Sequence, residues 1–174
     1  MVSLREATTE DIPSIRILAE KTWFDTYASI LSRAQMEYMF EWMYSEASLW
    51  RQMTQEGHVF FVALEDTTLL GYVSVEAQAN DLFHLHKLYV VPDVQKKGAG
   101  KALIQAVFRY AQTHACGSSC TVELNVNRHN KALDFYRHMG MHIHSEGDFD
   151  IGNGYFMNDY VLHIDLPAEA GSTR

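Results

Sequence analysis

Cysteine, proline and basic residues are all scarce in this 174-residue chain: two Cys, three Pro, and 14 Lys plus Arg against 22 Asp plus Glu. Each shortage removes a class of protein. Cys116 and Cys120 are too few for a disulfide framework. A formal net charge of −8 offers no basic face to the phosphates of a nucleic acid, though it suits cationic substrates such as amines. No apolar run comes near the ~20 residues that a membrane span needs. The opening MVSLREATTED lacks the apolar core of a secretory signal, so the expected location is the cytoplasm. Neither an internal repeat nor a linker is visible. The expectation is a single domain over residues 1–166 with a small, mobile polar tail at 167–174. With 47% hydrophobic residues, a chain of this length can bury a real core.

What is present is a regular alternation of element types. Val2 to Glu6 alternates like a short strand. Thr9 is placed to cap a helix in which Ile12, Ile15, Leu18, Ala19, Thr22 and Trp23 recur at helical spacing. Ser32-Arg33-Ala34-Gln35 is a capping-box pattern opening a second helix with Met36, Met39, Phe40 and Met43 on one side. A third, short helix holds Leu49, Trp50 and Met53. From His58 the pattern changes: Val59–Leu64 and Leu69–Glu76 read as a hairpin, and Asn80-Asp81 turns the chain into a further strand, Leu82 to Val91. A helix over Leu103, Ile104, Val107, Phe108, Tyr110 and Ala111 follows, then a strand from Thr121 to Asn127. Asn130 can cap a helix that carries Leu133 and Tyr136 and stops at Gly140. Met141–Ser145 and Tyr155–Asp165 form a last strand pair, joined by a polar loop around Gly147 to Gly154.

The stretch joining the strand at Leu82 to the following helix carries the chemistry. It reads Pro92-Asp93-Val94-Gln95-Lys96-Lys97-Gly98-Ala99-Gly100-Lys101. Proline ends the strand because it cannot donate to the ladder. Gly98, Ala99 and Gly100 put almost no side chain where the loop enters the helix. Backbone N–H groups are therefore left bare at the positive end of the helix dipole, which suits a phosphate chain. Lys96, Lys97 and Lys101 add positive charge. The spacing is neither the GxxxxGK[ST] of a Walker A loop nor the GxGxxG of a dinucleotide fold.

Gln95, Gly98 and Gly100 match Q/R-x-x-G-x-G/A, and on this motif, set between LYVVP and an amphipathic helix, the chain resembles the GNAT N-acetyltransferases. The order strand, helices, three strands, helix, strand, helix, two strands is also that of the family, so the resemblance covers nearly the whole chain. It implies an α/β (α+β) fold with a mixed, mostly antiparallel sheet, a splayed central strand pair and flanking helices. It implies acetyl-CoA as co-substrate, no metal, and an amine acceptor that attacks the thioester directly. TWFDTYASIL and GYFMNDYVL are similar to the polyamine-acetylating branch. A protein N-terminus or lysine is the alternative acceptor, and a non-catalytic acyl-CoA sensor is the alternative from another class. A homodimer is compatible with the resemblance.

The resemblance carries further roles to individual residues. Gln95, Lys96, Lys97, Gly98, Ala99, Gly100 and Lys101 would hold the pyrophosphate. The main chain of Leu88, Tyr89, Val90 and Val91 would align the pantetheine, with the Val90 N–H as oxyanion donor. Asn127 and Asn130 would lie near the cofactor, although turn and cap chemistry explains them equally well. Tyr136 in ALDFYRHMG falls where the family keeps the tyrosine that protonates the departing thiolate, and a phenol with pKa near ~10 stays protonated for that task. Where many relatives carry a glutamate base, this chain has His84, with His86 two residues on and on the same face; Glu123 is the other candidate. Trp23, Tyr27 and His86 are the acceptor-side candidates, together with Phe24 and Tyr155 to Tyr160. Aromatics at helical spacing are more often core, and Trp23 leans that way.

Two His-x-His pairs, His84/His86 and His142/His144, could each present imidazoles to an ion, but spacing supplies no third ligand. His114 with Cys116 and Cys120 lacks a fourth. No metal is therefore expected, and neither cysteine falls where an acyl-enzyme nucleophile would be needed.

Overall fold

In the computed structural model, residues 1–92 and 98–169 are described. The chain forms β1 (Val2–Glu6), α1 (Ile12–Tyr27), α2 (Arg33–Tyr44), α3 (Glu46–Thr54), β2 (His58–Glu65), β3 (Thr68–Ala77), β4 (Leu82–Val90), α4 (Ala99–His114), β5 (Ser119–Asn127), α5 (Ala132–His138), β6 (His142–Asp150) and β7 (Phe156–Pro167). The strands hydrogen-bond in the order β1-β2-β3-β4-β5-β7-β6. Two compact units divide the chain: residues 1–76 with 86–107, and residues 77–85 with 108–174.

In the first unit, β2 pairs antiparallel with both β1 and β3. The apolar stripe of α1 behaves as its spacing requires, with Ile12, Ile15, Leu18, Ala19 and Trp23 all buried. Ser32 caps α2 by accepting from the Gln35 N–H at 3.2 Å, and Met36, Met39 and Phe40 turn into the core. Two expectations shift. Asp11 reaches back to the Thr8 N–H at 2.8 Å, so the cap is Thr8, over a 3₁₀ turn at Thr9–Asp11 that runs into α1. Trp50 faces outward, 47% exposed, whereas Leu49 beside it is fully buried.

Gly71 of β3 shows why a side chain is missing there. A Cβ at that position would lie 2.7 Å from the Tyr89 carbonyl oxygen and 3.1 Å from Leu103 Cδ1. Only glycine allows β3, β4 and the first half of α4 to approach so closely.

In the second unit, β4 starts after a turn in which Asn80 and Asp81 both have positive φ, 62° and 56°, and Gln78 N donates to Leu82 O at 2.7 Å. Asp81 then accepts from the Cys116 and Gly117 N–H groups at 2.7 and 2.9 Å, tying this turn to the end of α4. The parallel register of β4 with β5 runs from Leu82–Thr121 to Leu85–Leu124, and both strands continue beyond it. β5 pairs along its full length with β7. Helix α5 closes with a Schellman pair, Gly140 N to Arg137 O at 3.0 Å and Met141 N to Tyr136 O at 3.1 Å.

Two boundaries differ from the sequence reading. β6 runs on to Asp150, so Gly147 lies in a strand and the loop is shorter than its polar composition suggests. The start of the tail is held: Ala168 N donates to Ser118 O at 3.0 Å and Glu169 N to Gln112 O at 3.1 Å.

Candidate active site

At the start of α4, Gly98 has φ +80° and its carbonyl accepts the first helical bond, from Ala102 N at 3.0 Å. The N–H groups of Ala99, Gly100 and Lys101 are thus among the four that a helix start leaves without an acceptor inside the helix. A Cβ built on Gly98 would meet nothing within 4 Å. Ala99 is buried, Gly100 half-buried and Lys101 exposed. Gln95, Lys96 and Lys97 lie outside the described residues.

On β4, Leu88, Tyr89 and Val90 are half-buried. The Val91 N–H donates to Leu70 O at 2.9 Å, within the first unit. The Tyr89 ring lies 5.9 Å from that of Tyr72 and 6.4 Å from that of Tyr44.

Lys87, between these residues and His86, received no role from the sequence. It is buried, donates from Nζ to Gln52 Oε1 at 2.7 Å, and sits over the Tyr44 and Phe60 rings at 5.5 and 5.9 Å. Burial pulls its pKa down to about 8, and the Glu56 charge opposes this only in part. A lysine in line with the inward-facing Phe83 and Leu85 was the available signal.

The remaining acceptor-side candidates divide. Trp23 is a core residue, 2% exposed, with its indole N–H donating to Met36 O at 3.1 Å. Tyr27 is buried against it, centroid to centroid 4.3 Å. Phe24 packs on Phe40 at 5.6 Å. Of the β7 group, Phe156 is exposed and Asp159 is buried. His86 Nε2 bonds to Glu76 Oε2 at 2.8 Å.

In the second unit, neighbouring strands place three titratable groups in one row. His84 is the register partner of Glu123, and Glu123 that of His163. Side chains directly opposite across strands are close enough to meet. His84 Nδ1 lies 2.9 Å from Glu123 Oε1, and His163 Nε2 lies 2.8 Å from Glu123 Oε2. His144 stacks on His163 at 3.9 Å, 8° from parallel. Burial pushes the Glu123 carboxyl up, but hydrogen bonds from His84 and His163 outweigh it and hold the group below the ordinary carboxylate value. An ionised carboxylate only accepts, so His84 donates from Nδ1 and its basic lone pair is on Nε2. The two candidates for the base, His84 and Glu123, are therefore one hydrogen-bonded pair.

Asn127 and Asn130 do the turn work their residue type favours. Asn127 Oδ1 accepts from His129 N at 3.0 Å, and Asn130 Oδ1 accepts from Ala132 N at 2.9 Å at the start of α5. Asn127 is buried, and opposite it on β7 is the buried Asp159. Burial pushes the Asp159 carboxyl up, against a hydrogen bond from Asn125 and the Arg128 charge. Tyr136, 7% exposed, packs edge-on to Phe135 at 5.5 Å.

Comparison with known proteins gives this geometry its context. A family model described as "Acetyltransferase (GNAT) domain" matches residues 27–152. A spermidine N(1)-acetyltransferase of Thermoplasma acidophilum is 28% identical over 107 residues, covering 59% of this chain and 66% of that relative, just under two thirds of its length. An uncharacterized N-acetyltransferase of Bacillus subtilis, YuaI, is 27% identical over 157 residues, 87% of this chain and 86% of that one. Among solved structures, the PaiA N-acetyltransferase of T. acidophilum in complex with coenzyme A superposes with a TM-score of 0.76 at 24% identity, covering 94% of this chain and 98% of that one. The fold is shared with that structure.

Proposed function

Because this chain belongs to the GNAT acetyltransferase family, whose domain model matches residues 27–152, we propose that it transfers the acetyl group of acetyl-CoA to a primary amine of a small, cationic, polyamine-like molecule. The observation that carries this reading is the head of α4. A positive-φ glycine opens it, a Cβ there would meet nothing within 4 Å, and the first N–H groups have no acceptor inside the helix and stand at the positive end of its dipole. That is what a diphosphate requires. The N–H groups of Ala99, Gly100 and Lys101 take this role, with Gln95, Lys96 and Lys97 completing the loop by the family motif.

In the reaction proposed, the acceptor ammonium first loses a proton. The neutral nitrogen then attacks the thioester carbonyl carbon, the C–N bond forms, the C–S bond breaks, and the coenzyme A thiolate takes a proton from Tyr136. The proton that the nitrogen sheds on becoming an amide returns to the phenolate through water. His84 Nε2 receives the first proton, directly or through water, while Glu123 fixes the tautomer and steadies the imidazolium that forms. Tyr136 supplies the second, and the Val90 N–H stabilises the oxyanion between. Leu88 and Tyr89 align the pantetheine, and Asn127 and Asn130 lie on the cofactor side. The polyamine-like acceptor is supported by the spermidine-acetylating relative and by the net charge of −8, which attracts a polycation.

A thiol-release screen over spermidine, small monoamines, a peptide N-terminus and a lysine peptide tests the proposal. Turnover with the polyamine or monoamines supports it. Turnover confined to the peptides moves the acceptor to protein, and acetyl-CoA binding without turnover on any amine makes the chain a sensor. The base is tested separately: His84→Gln should lose the acidic limb of the pH dependence of kcat/KM, and an unchanged limb disposes of that role.

A further inference from the structure

We propose that His58, Glu76 and His86 form a binding site for a zinc-class divalent cation, independent of acetyl transfer. His58 begins β2 and is the direct antiparallel partner of Glu76 on β3. His86, on β4, reaches the same carboxylate. Its Nε2 lies 2.8 Å from Glu76 Oε2, and His58 Nε2 lies 3.8 Å from that oxygen. The two imidazole rings stack 4.3 Å apart and 19° from parallel. One ligand atom from each of the three residues lies within 4.8 Å of the other two.

The two carboxylate–imidazole separations are close to what a small tetrahedral ion imposes. Zinc holds imidazole nitrogen and carboxylate oxygen at ~2.0–2.1 Å, which sets neighbouring ligand atoms about 3.3 Å apart. The shorter carboxylate–imidazole contact would open by about half an ångström and the longer one close by about as much. Side-chain torsions absorb movements of that size, and the imidazoles, stacked here, would turn about χ2 so that both nitrogen lone pairs meet the ion. All three ligands stand on strands of the first unit, so the backbone beneath them is already organised by the sheet.

The donor set selects the ion class. Two neutral imidazoles and one carboxylate suit zinc, cobalt(II) or nickel(II), whereas calcium and magnesium prefer oxygen-only shells and copper(I) prefers sulfur. Three protein ligands leave a fourth position to water. The His58 side chain is only 9% exposed, and those of Glu76 and His86 are 28% exposed. The site is thus walled on one side and reachable from the other. Sequence spacing showed only His84 and His86 as a pair. The third and fourth groups near β4 come from the hairpin, and they select His86 over His84, which is committed to Glu123.

The test is titration of the tag-free full chain with zinc chloride alone, followed by calorimetry, and with cobalt(II) chloride, followed by visible absorption. The expected result is one saturable equivalent, the intense d–d bands of low-coordinate cobalt, and a higher melting temperature with zinc. His86→Gln and the near-isosteric Glu76→Gln should each weaken zinc by roughly a hundredfold or more, since even an outer-shell partner is worth ~10–100-fold. His84→Gln should leave the zinc affinity unchanged. Absence of saturable zinc binding by the wild-type chain, or binding undiminished in Glu76→Gln with its circular dichroism intact, overturns the assignment. Loss of the site in His84→Gln with affinity kept in His86→Gln would equally overturn it.

Discussion

Lys87 offers a prediction that can be worked from structure to assay. Its ammonium is buried among Gln52, Tyr44 and Phe60 and donates to the neutral Gln52 Oε1, and its pKa falls from 10.5 to about 8. The folded state therefore releases this proton before the unfolded chain does. Between the two values the unfolded state binds more protons, so stability rises with pH. The full span of about 2.5 pKa units corresponds to about 3 kcal/mol, of which about 2 kcal/mol is gained between pH 7 and 9.5. Lys87→Met removes the titrating group. Packing changes and the bond lost by Gln52 also alter its stability, but they do so equally at every pH, and the ionisation of unfolded tyrosine at the upper end is common to both proteins and cancels in their difference. The quantity to measure is hence the difference in unfolding free energy between wild type and Lys87→Met, from urea midpoints at several pH values. At an m-value of about 2 kcal/mol/M, the midpoint difference should change by about 1 M over this range. A difference that is flat with pH would show that Lys87 titrates as an ordinary surface lysine and would refute the reasoning.

Further predictions follow from the same contacts. Tyr136→Phe should lower kcat by about tenfold or more, with affinity for acetyl-CoA and the circular dichroism spectrum retained; full activity removes the proposed acid. Gly71→Ala would set a methyl group 2.7 Å from the Tyr89 carbonyl oxygen, and should cost about 1–3 kcal/mol of stability by urea unfolding; a neutral effect contradicts the close approach. The Glu123 carboxyl, held below its ordinary value by His84 and His163, contributes stability that is complete above an unfolded pKa near ~4.3 and is lost as pH falls through the lower folded value. Glu123→Gln should flatten that acid limb of stability, and an unchanged limb argues against the paired carboxylate.

The residues at the head of α4 were legible because Gly98 and Gly100 act through the backbone, and backbone consequences can be read locally. Buried stripes such as Ile12, Ile15, Ala19 and Trp23 were legible for a related reason: a helix repeats its own burial pattern. The second half of β6, beyond Ser145, was not, because β6 is an edge strand beside β7, exposed along almost its whole length. His-Ile-His-Ser-Glu-Gly-Asp-Phe-Asp carries no apolar face to announce it. Long-range polar pairs were hidden for a different reason. His84 and Glu123 were both named as bases, yet their shared hydrogen bond follows from a parallel register 39 residues apart. The partners of His86 lie across a hairpin whose register shifts between Ala63 and Leu64, so counting from the turn misplaces them. Lys87 received no role because its acceptor, Gln52, lies 35 residues away in the chain. Trp23 is core, the reading its helical spacing favoured, and Tyr27 is buried beside it.

The most direct measurement is a calorimetric titration of the full chain with acetyl-CoA, repeated with free coenzyme A as competitor and with Gly98→Val. The account predicts saturation at one equivalent, displacement by coenzyme A, and marked weakening when a branched side chain occupies the head of α4. A chain that binds no acetyl-CoA, or a Gly98→Val variant that binds it as well as wild type, would contradict the claim that these main-chain amides hold the acyl donor.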